Sequence, residues 1–299
     1  MSAPESAAPK SAAPESGAPG SARVLDGRAV ADAIAERVAE RVKAFSVTPR
    51  LVFVRVGEDP ASASYVRSKQ RLARRVGIRA ETLVLPEETD QATLMAEVGA
   101  VVADDDVDGV LVQLPLPDHL DEAPVLEAID PDKDVDGFHA VNVGRLWSGL
   151  PGMVPCTPLG LEAICDHYEV PLHGQRVVIV GRSNLVGKPA AALLLRRHAT
   201  VTLAHSRTRD LGAVVAEADV VIAAVGRAGI VQASMVKPGA AVLDVGMSRV
   251  DGRIVGDVAP DVWNVAGAVT PMPGGTGPVT VAMVVQNTVT AAERRRQRP

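Results

Sequence analysis

Tyr65 and Lys69 stand four residues apart, and Leu72 and Val76 continue their spacing. On a helix such positions share one face, so the lysine falls on the line of an apolar stripe. An amine there has two uses. It can lay its stem along the stripe and keep the ammonium in water. It can also be drawn out of water, where the charged form is disfavoured and the group moves protons near neutral pH. Gln113 follows the apolar run Gly109-Val110-Leu111-Val112 and precedes Leu114-Pro115-Leu116-Pro117. Ligands of open α/β sheets bind beyond the carboxyl ends of the strands. A neutral amide there can bond a lysine without fixing its charge, or it can bond local backbone.

The run Asp130-Pro131-Asp132-Lys133-Asp134-Val135-Asp136-Gly137 resembles the first half of a calcium loop, but Val143 stands where the bidentate glutamate is required, so calcium is rejected. An aspartate here can accept hydrogen bonds from an amino-substituted heterocycle, or cap a turn. Pro271-Met272-Pro273-Gly274-Gly275-Thr276-Gly277-Pro278 alternates rigid and permissive residues and lets backbone approach a ligand, or serves as an interdomain turn. In Gly181-Arg182-Ser183-Asn184-Leu185-Val186-Gly187 a glycine-containing turn joins an apolar run to an Ala/Leu-rich helix, a ready anion site or an ordinary strand–helix turn. The next strand runs into His205-Ser206-Arg207-Thr208, without the carboxylate that usually binds a ribose 2′-hydroxyl. Arg182 and Arg207 can face a 2′-phosphate, which favours NADP over NAD, or lie as ordinary surface arginines.

The elements that must position these groups alternate. An amphipathic helix starts at Arg28, with Val30, Ile34, Val38, Val42 and Phe45 in one stripe. Residues 51–56 read as a strand, and Asp59-Pro60 as an N-cap and first helical residue. The helix bearing Tyr65 and Lys69 runs to Val76. A strand over 78–85, a helix over 93–102 and a strand over 109–114 follow, an order that predicts a parallel sheet. A short helix follows Asp118, and the chain crosses into a second unit through residues 151–158. There a helix over 159–167 precedes strands at 177–180, 201–204, 220–224 and 241–245, with a helix from 186 to 198 after the first. A helix over 279–294 returns to the first unit, and the arginines at 294–298 form a solvated tail. The fold class expected is two-domain α/β, an N-terminal α/β domain with a parallel sheet plus a Rossmann-like NAD(P)-binding domain, with a cleft between.

Composition sets the outer limits. The chain has 299 residues, 47% of them hydrophobic, enough for two cores. A net charge of −5 and 2% aromatic residues favour neither nucleic acid nor an anionic membrane as partner. Two cysteines, Cys156 and Cys165, make no disulfide framework or zinc cluster and suit a reducing, cytoplasmic setting. Residues 1–21, built of Ala, Pro, Ser, Glu and Gly with near-repeats, read as a disordered tail without the apolar core of a signal peptide.

Seven segments in register resemble the bifunctional methylenetetrahydrofolate dehydrogenase/methenyltetrahydrofolate cyclohydrolase family: Tyr65-Val66-x-x-Lys69 with Gly77-Ile78, Val112-Gln113-Leu114-Pro115-Leu116-Pro117, Pro131-x-Lys133-Asp134-Val135-Asp136-Gly137, Pro155-Cys156-Thr157-Pro158, Gly181-Arg182-Ser183-x-x-Val186-Gly187-x-Pro189, Gly256-Asp257-Val258, and Pro273-Gly274-Gly275-x-Gly277-Pro278-x-Thr280. They span residues 22 to 293. The resemblance implies one cleft that oxidises 5,10-methylenetetrahydrofolate with NADP+ and hydrolyses the methenyl product to 10-formyltetrahydrofolate, a step of one-carbon metabolism. It implies Lys69 as general acid/base, Gln113 as the residue that positions it, Tyr65 packed on the folate and Asp136 on its pterin-like ring. Pro273 and Gly274 line the folate side. Gly181, Arg182 and Ser183 bind cofactor phosphates, with Ser206 at the 2′-phosphate and Met247, more often isoleucine in the family, by the nicotinamide. It implies a homodimer formed through the cofactor domain and no metal. The folate domain is residues 22–150 with helix 279–294, and the NADP domain 151–278. A dehydrogenase without cyclohydrolase activity, or a non-catalytic dinucleotide-binding protein, are the alternatives, and the presence of Lys69 and Gln113 argues against both.

Overall fold

The computed structural model describes residues 22–296, so the tail expected over 1–21 lies outside the described residues. Strand β1 (Arg23–Val24) and helix α1 (Gly27–Lys43) open the chain. They are followed by β2 (Arg50–Val56), α2 (Pro60–Arg75), β3 (Arg79–Leu85), α3 (Gln91–Ala103) and β4 (Gly109–Val112). Then come α4 (Glu122–Glu127), α5 (Ala140–Trp147), α6 (Cys156–His167), β5 (Arg176–Val180), α7 (Gly187–Arg196), β6 (Thr200–Ala204) and α8 (Leu211–Ala216). Strands β7 (Val220–Ala223), β8 (Ala241–Asp244), β9 (Ser248–Val250), β10 (Arg253–Val255) and β11 (Ala268–Val269) lead to helix α9 (Thr276–Arg296).

Two parallel sheets result. The first is three-stranded in the order β3-β2-β4, and the second six-stranded in the order β1-β11-β8-β7-β5-β6. In β2 the alternation of side chains sorts the apolar run. Leu51 and Phe53 join the core under α1, α2 and α9, whereas Val52, Val54 and Val56 join the core under α3 and α4. A strand buried on both faces needs such a continuous apolar run. Asp59 caps α2 by accepting from the Ser62 amide at 2.7 Å, with Pro60 in the first turn, as the sequence predicts.

Several elements depart from expectation. Helix α6 starts at Cys156 rather than 159, because the first turn needs no amide donors and tolerates Pro158. Helix α5 occupies a stretch to which the sequence pattern assigns no element; His139 caps it, its Nδ1 accepting from the Val141 amide at 3.1 Å. Strand β4 stops at Val112, ahead of two prolines. Strands β1 and β11, the β9–β10 hairpin and α8 are too short to leave a periodic signal. Of the arginine run expected as a solvated tail, residues 297–298 lie outside the described residues, and Arg295 and Arg296 are engaged. Arg296 pairs with Asp108 at 2.7 Å and Arg295 donates to the Val107 carbonyl, pinning α9 to the start of β4. Helix α9 packs against α1, α2 and α6. Among the described residues no helix is long and apolar enough to cross a membrane.

Candidate active site

Helix α2 and strand β4 place an amine against an amide. Lys69 is 3% exposed, so it is the buried amine rather than the snorkelling one. Its Nζ donates to Gln113 Oε1 at 3.3 Å and lies 4.7 Å from the centroid of the Tyr65 ring. Gln113 directs its own amide to the Leu114 carbonyl at 2.5 Å, which leaves Oε1 for the lysine. The amine therefore has a neutral partner and an aromatic face. Burial above all pushes the Tyr65 phenol well up, with the nearby Asp136 carboxylate adding to it. Tyr65, Lys69, Gln113, Asp136 and Cys156 thus converge.

The acidic run is closed by its own backbone. Asp134 is buried, and its carboxylate accepts from the amides of Gly137 and His139, both at 2.9 Å, and from Asn142 Nδ2 at 3.0 Å. Burial raises its pKa against the pull of those bonds. Lys133 turns away and donates to the carbonyls of Val102 and Asp104. Asp136, half-buried, is the acid of this run that faces Tyr65 and the Cys156 thiol. At Gly137, φ is +76° and a Cβ would stand 2.6 Å from the Pro155 nitrogen, so only glycine lets the loop lie on the start of α6.

The second group lies at the carboxyl edge of the six-stranded sheet. The chain runs from β5 outward to β6, then crosses to β7 on the other side of β5, which makes the β5–β7 junction a topological switch point. There Gly181, at φ +136°, brings its backbone so close to Ala224 that a Cβ would lie 2.3 Å from that carbonyl oxygen. Ser183 turns its Oγ inward to accept from the Val186 and Gly187 amides at 3.1 and 3.4 Å, opening α7. Arg182 is exposed. Strands β5 and β6 end level, Val180 opposite Ala204, so Arg182 and Ser206 emerge side by side with Arg207. The nearest following acid, Asp210, is engaged in capping α8. The donor set therefore fits a dinucleotide with a 2′-phosphate: bare backbone at the turn, two arginines and no carboxylate at the end of β6. Met247, after β8, is 67% exposed at the same edge.

Helix α9 links the two groups. At its start Thr276 Oγ1 donates to the Asp244 carbonyl at 2.9 Å, at the end of β8. Eleven residues on, about 16 Å along the axis, Asn287 Nδ2 donates to the carbonyls of Val135 and Val154 at 2.8 and 3.0 Å. Gly274, in the turn before α9, accepts from the Gly27 amide at 3.0 Å, and Pro273 beside it is exposed. Three residues carry no role in the sequence reading. Cys156 lies against Asp136 and Tyr65, and Asp244 and Asp257 meet under the cofactor edge. The cysteine and Asp257 lie inside quoted motifs. Asp244 has only its place at a strand end to mark it.

Two family models match this chain: the catalytic domain of tetrahydrofolate dehydrogenase/cyclohydrolase over residues 25–136 and its NAD(P)-binding domain over residues 155–296. The chain belongs to the tetrahydrofolate dehydrogenase/cyclohydrolase family. Among members of that family, the bifunctional protein FolD of Thermus thermophilus is 54% identical over 276 residues, 92% of this chain and 98% of that one. The crystal structure of the FolD methylenetetrahydrofolate dehydrogenase/cyclohydrolase of Campylobacter jejuni superposes with a TM-score of 0.89 at 43% identity, covering 91% of this chain and 99% of the other. The Trypanosoma brucei dehydrogenase-cyclohydrolase, complexed with NADP cofactor and an inhibitor, gives 0.88 at 38% identity over 93% and 99%. The two-domain α/β architecture expected from the sequence is that of the tetrahydrofolate dehydrogenase/cyclohydrolase family.

Proposed function

We propose that this chain oxidises 5,10-methylenetetrahydrofolate to the 5,10-methenyl cation with NADP+ and hydrolyses that cation to 10-formyltetrahydrofolate. The observation that carries the reading is the buried Lys69, bonded to an amide and facing Tyr65, in a chain whose other sheet carries a phosphate-binding turn. Relatives named as bifunctional support it.

The roles follow from chemistry. Tyr65 packs on the folate, and Asp136 accepts hydrogen bonds from the amino and ring N–H groups of its pterin. Pro273 and Gly274 line the folate from the α9 side. Gly181, Arg182 and Ser183 hold the cofactor phosphates, Arg182 also reaching the 2′-phosphate together with Ser206 and Arg207, and Met247 lies beside the nicotinamide. NADP+, when bound, supplies the acceptor for the two electrons and hydrogen lost by the methylene carbon. In hydrolysis, Lys69 Nζ takes a proton from the water that adds to the methenyl carbon and returns it to the ring nitrogen that departs. The remaining hydroxyl proton goes to solvent as the formyl carbonyl forms. Gln113 Oε1 aims the amine. Residues 22–150 with α9 serve the folate and residues 151–278 the cofactor. The working form is a homodimer through the cofactor domain, in the cytoplasm.

The test follows NADPH and the methenyl intermediate separately by absorbance, for wild type and Lys69→Ala, against an enzyme-free control. Wild type makes NADPH and clears methenyl faster than buffer, while the variant loses about 10²- to 10⁴-fold in the clearing step. Wild type that makes NADPH but clears methenyl no faster than buffer is a dehydrogenase alone, and the roles of Lys69 and Gln113 fall.

A further inference from the structure

Two buried carboxylates face each other's glycines beneath the carboxyl ends of β7 and β8. Asp257 is fully buried. Its Oδ2 accepts from the amides of Val225 at 2.6 Å and Gly226 at 3.0 Å, and its Oδ1 from the Arg227 amide at 2.6 Å. Asp244, 2% exposed, accepts from the amides of Gly246 and Asp257 on Oδ1 at 2.9 and 3.0 Å, and from the Val258 amide on Oδ2 at 3.0 Å. Each carboxylate also lies flat on a bare Cα. A Cβ on Gly246 would fall 2.0 Å from the Asp257 carboxyl carbon, and one on Gly256 1.8 Å from Asp244 Oδ2. Among the described residues neither acid has a Lys, Arg or His partner within ion-pair distance. Six backbone N–H groups hold the pair instead. Charge-assisted bonds of this kind are stronger than neutral ones, and buried groups satisfied so completely rigidify what they touch.

What they touch is one edge. Residues 225–227 follow β7 and adjoin the switch point at Gly181. Residues 246–247 follow β8, and Ser248 Oγ donates to the Gly226 carbonyl at 3.1 Å, tying the two loops together. The phosphate-binding turn and the 2′-phosphate residues lie at β5 and β6. An extended dinucleotide anchored there must lay its other half over β7 and β8, toward the folate. Loop backbone at that point would be free to move without a partner for its amides, since it lies past the last ladder bond.

We propose that Asp257, braced by Asp244, is a positioning residue for the nicotinamide half of the cofactor: it holds residues 225–227 and Gly246 in the one arrangement that half can lie against. The inference rests on the cofactor reading above. It concerns a residue that touches neither substrate nor cofactor and acts through backbone.

The experiment is titration calorimetry on the full chain with two probes, NADP+ and adenosine 2′,5′-bisphosphate, which keeps the adenosine half and lacks the nicotinamide. Asp257→Asn should weaken NADP+ by about tenfold or more in Kd and leave the bisphosphate close to wild type. Gly246→Ala, which displaces the carboxylate while keeping it, should show the same split. In turnover, NADPH formation should fall by about 10²-fold, the scale of a small misplacement, and by more than methenyl hydrolysis does. Equal weakening of both probes marks a general structural loss and overturns the proposal. Unchanged NADP+ affinity in both variants overturns it as well. If wild type binds neither probe, the cofactor reading itself fails, and this inference with it.

Discussion

Replacing Asp134 by asparagine tests how the proposed folate side is built. The carboxylate takes two donors on Oδ2, His139 N–H and Asn142 Nδ2, and one on Oδ1, Gly137 N–H. An asparagine can keep its oxygen toward His139 and Asn142. Its amide then points donor to donor at Gly137, whose own N–H keeps a longer bond to the Asp134 carbonyl at 3.3 Å, so the buried N–H that is stranded is the new side-chain one. Leaving such a group unmet costs about 1–3 kcal/mol. The neutral side chain recovers part of this, since burial already raises the Asp134 pKa. A net loss of about 2 kcal/mol lowers the melting temperature by about 4–8 °C at about 2–4 °C per kcal/mol. Gly137 adjoins Asp136, so the loosened loop should also raise KM for 5,10-methylenetetrahydrofolate by about tenfold, equivalent to about 1.4 kcal/mol. KM for NADP+, set on the other sheet, should stay within about twofold, as expected for uncoupled sites. Scanning calorimetry and initial rates with each substrate varied in turn check this. No change in melting, or an equal rise in both Michaelis constants, would refute the claim that this carboxylate positions Asp136.

Three further outcomes follow from the same geometry. Burial pushes the Cys165 thiol up to about 12 and the Cys156 thiol well above its usual range, so the native chain should resist a thiol-specific disulfide reagent that titrates two equivalents after unfolding. Rapid reaction of either native thiol would contradict that burial. Burial pushes the Asp244 carboxyl up to about 6 from 3.8, so this group's contribution favours folding most below pH 3.8 and is lost as pH rises through about 6. Carbon NMR of the Asp244 carboxyl, assigned by Asp244→Asn, should show that midpoint, and a value near 4 would contradict it. Arg182→Ala should lower the preference for NADP+ over NAD+ by about fivefold to thirtyfold, equivalent to about 1–2 kcal/mol, and the effect should shrink in high salt. Equal losses with both coenzymes would remove Arg182 from the 2′-phosphate.

The sequence carried the large elements because their physics is local. The runs in β2, β5 and β7 are apolar and β-branched since both faces are covered. Asp59-Pro60 announces α2, and the spacing of Tyr65 and Lys69 along it is enough to put them on one face. That Lys69 meets Gln113 depends on α2 crossing the end of β4, a packing fact that spacing alone does not contain. Helix α5 escaped notice because Asn142 and Gly144 interrupt a stretch of eight residues. The pairing of Asp244 with Asp257 was invisible for a different reason. Thirteen residues and a hairpin separate them, and only the sheet brings each to the other's glycine. Asp134 shows the same limit: in sequence it is one acid among four, whereas folded it is the one that closes the loop.

Helix α9 has a bearing on how the chain is made. Residues Val279, Ala282, Met283, Val285 and Val289 complete the core above β2 and α1, and Arg296 secures Asp108 at the edge of the first sheet. Every element that α9 covers leaves the ribosome before it does. The three-stranded sheet, although synthesised early, therefore waits with one face open until the six-stranded sheet has been translated. Its final closure and the arrival of Thr276 at Asp244 are a single event. Neither half is finished before the other, so a polypeptide cut short of α9 should yield two incomplete halves rather than one working half.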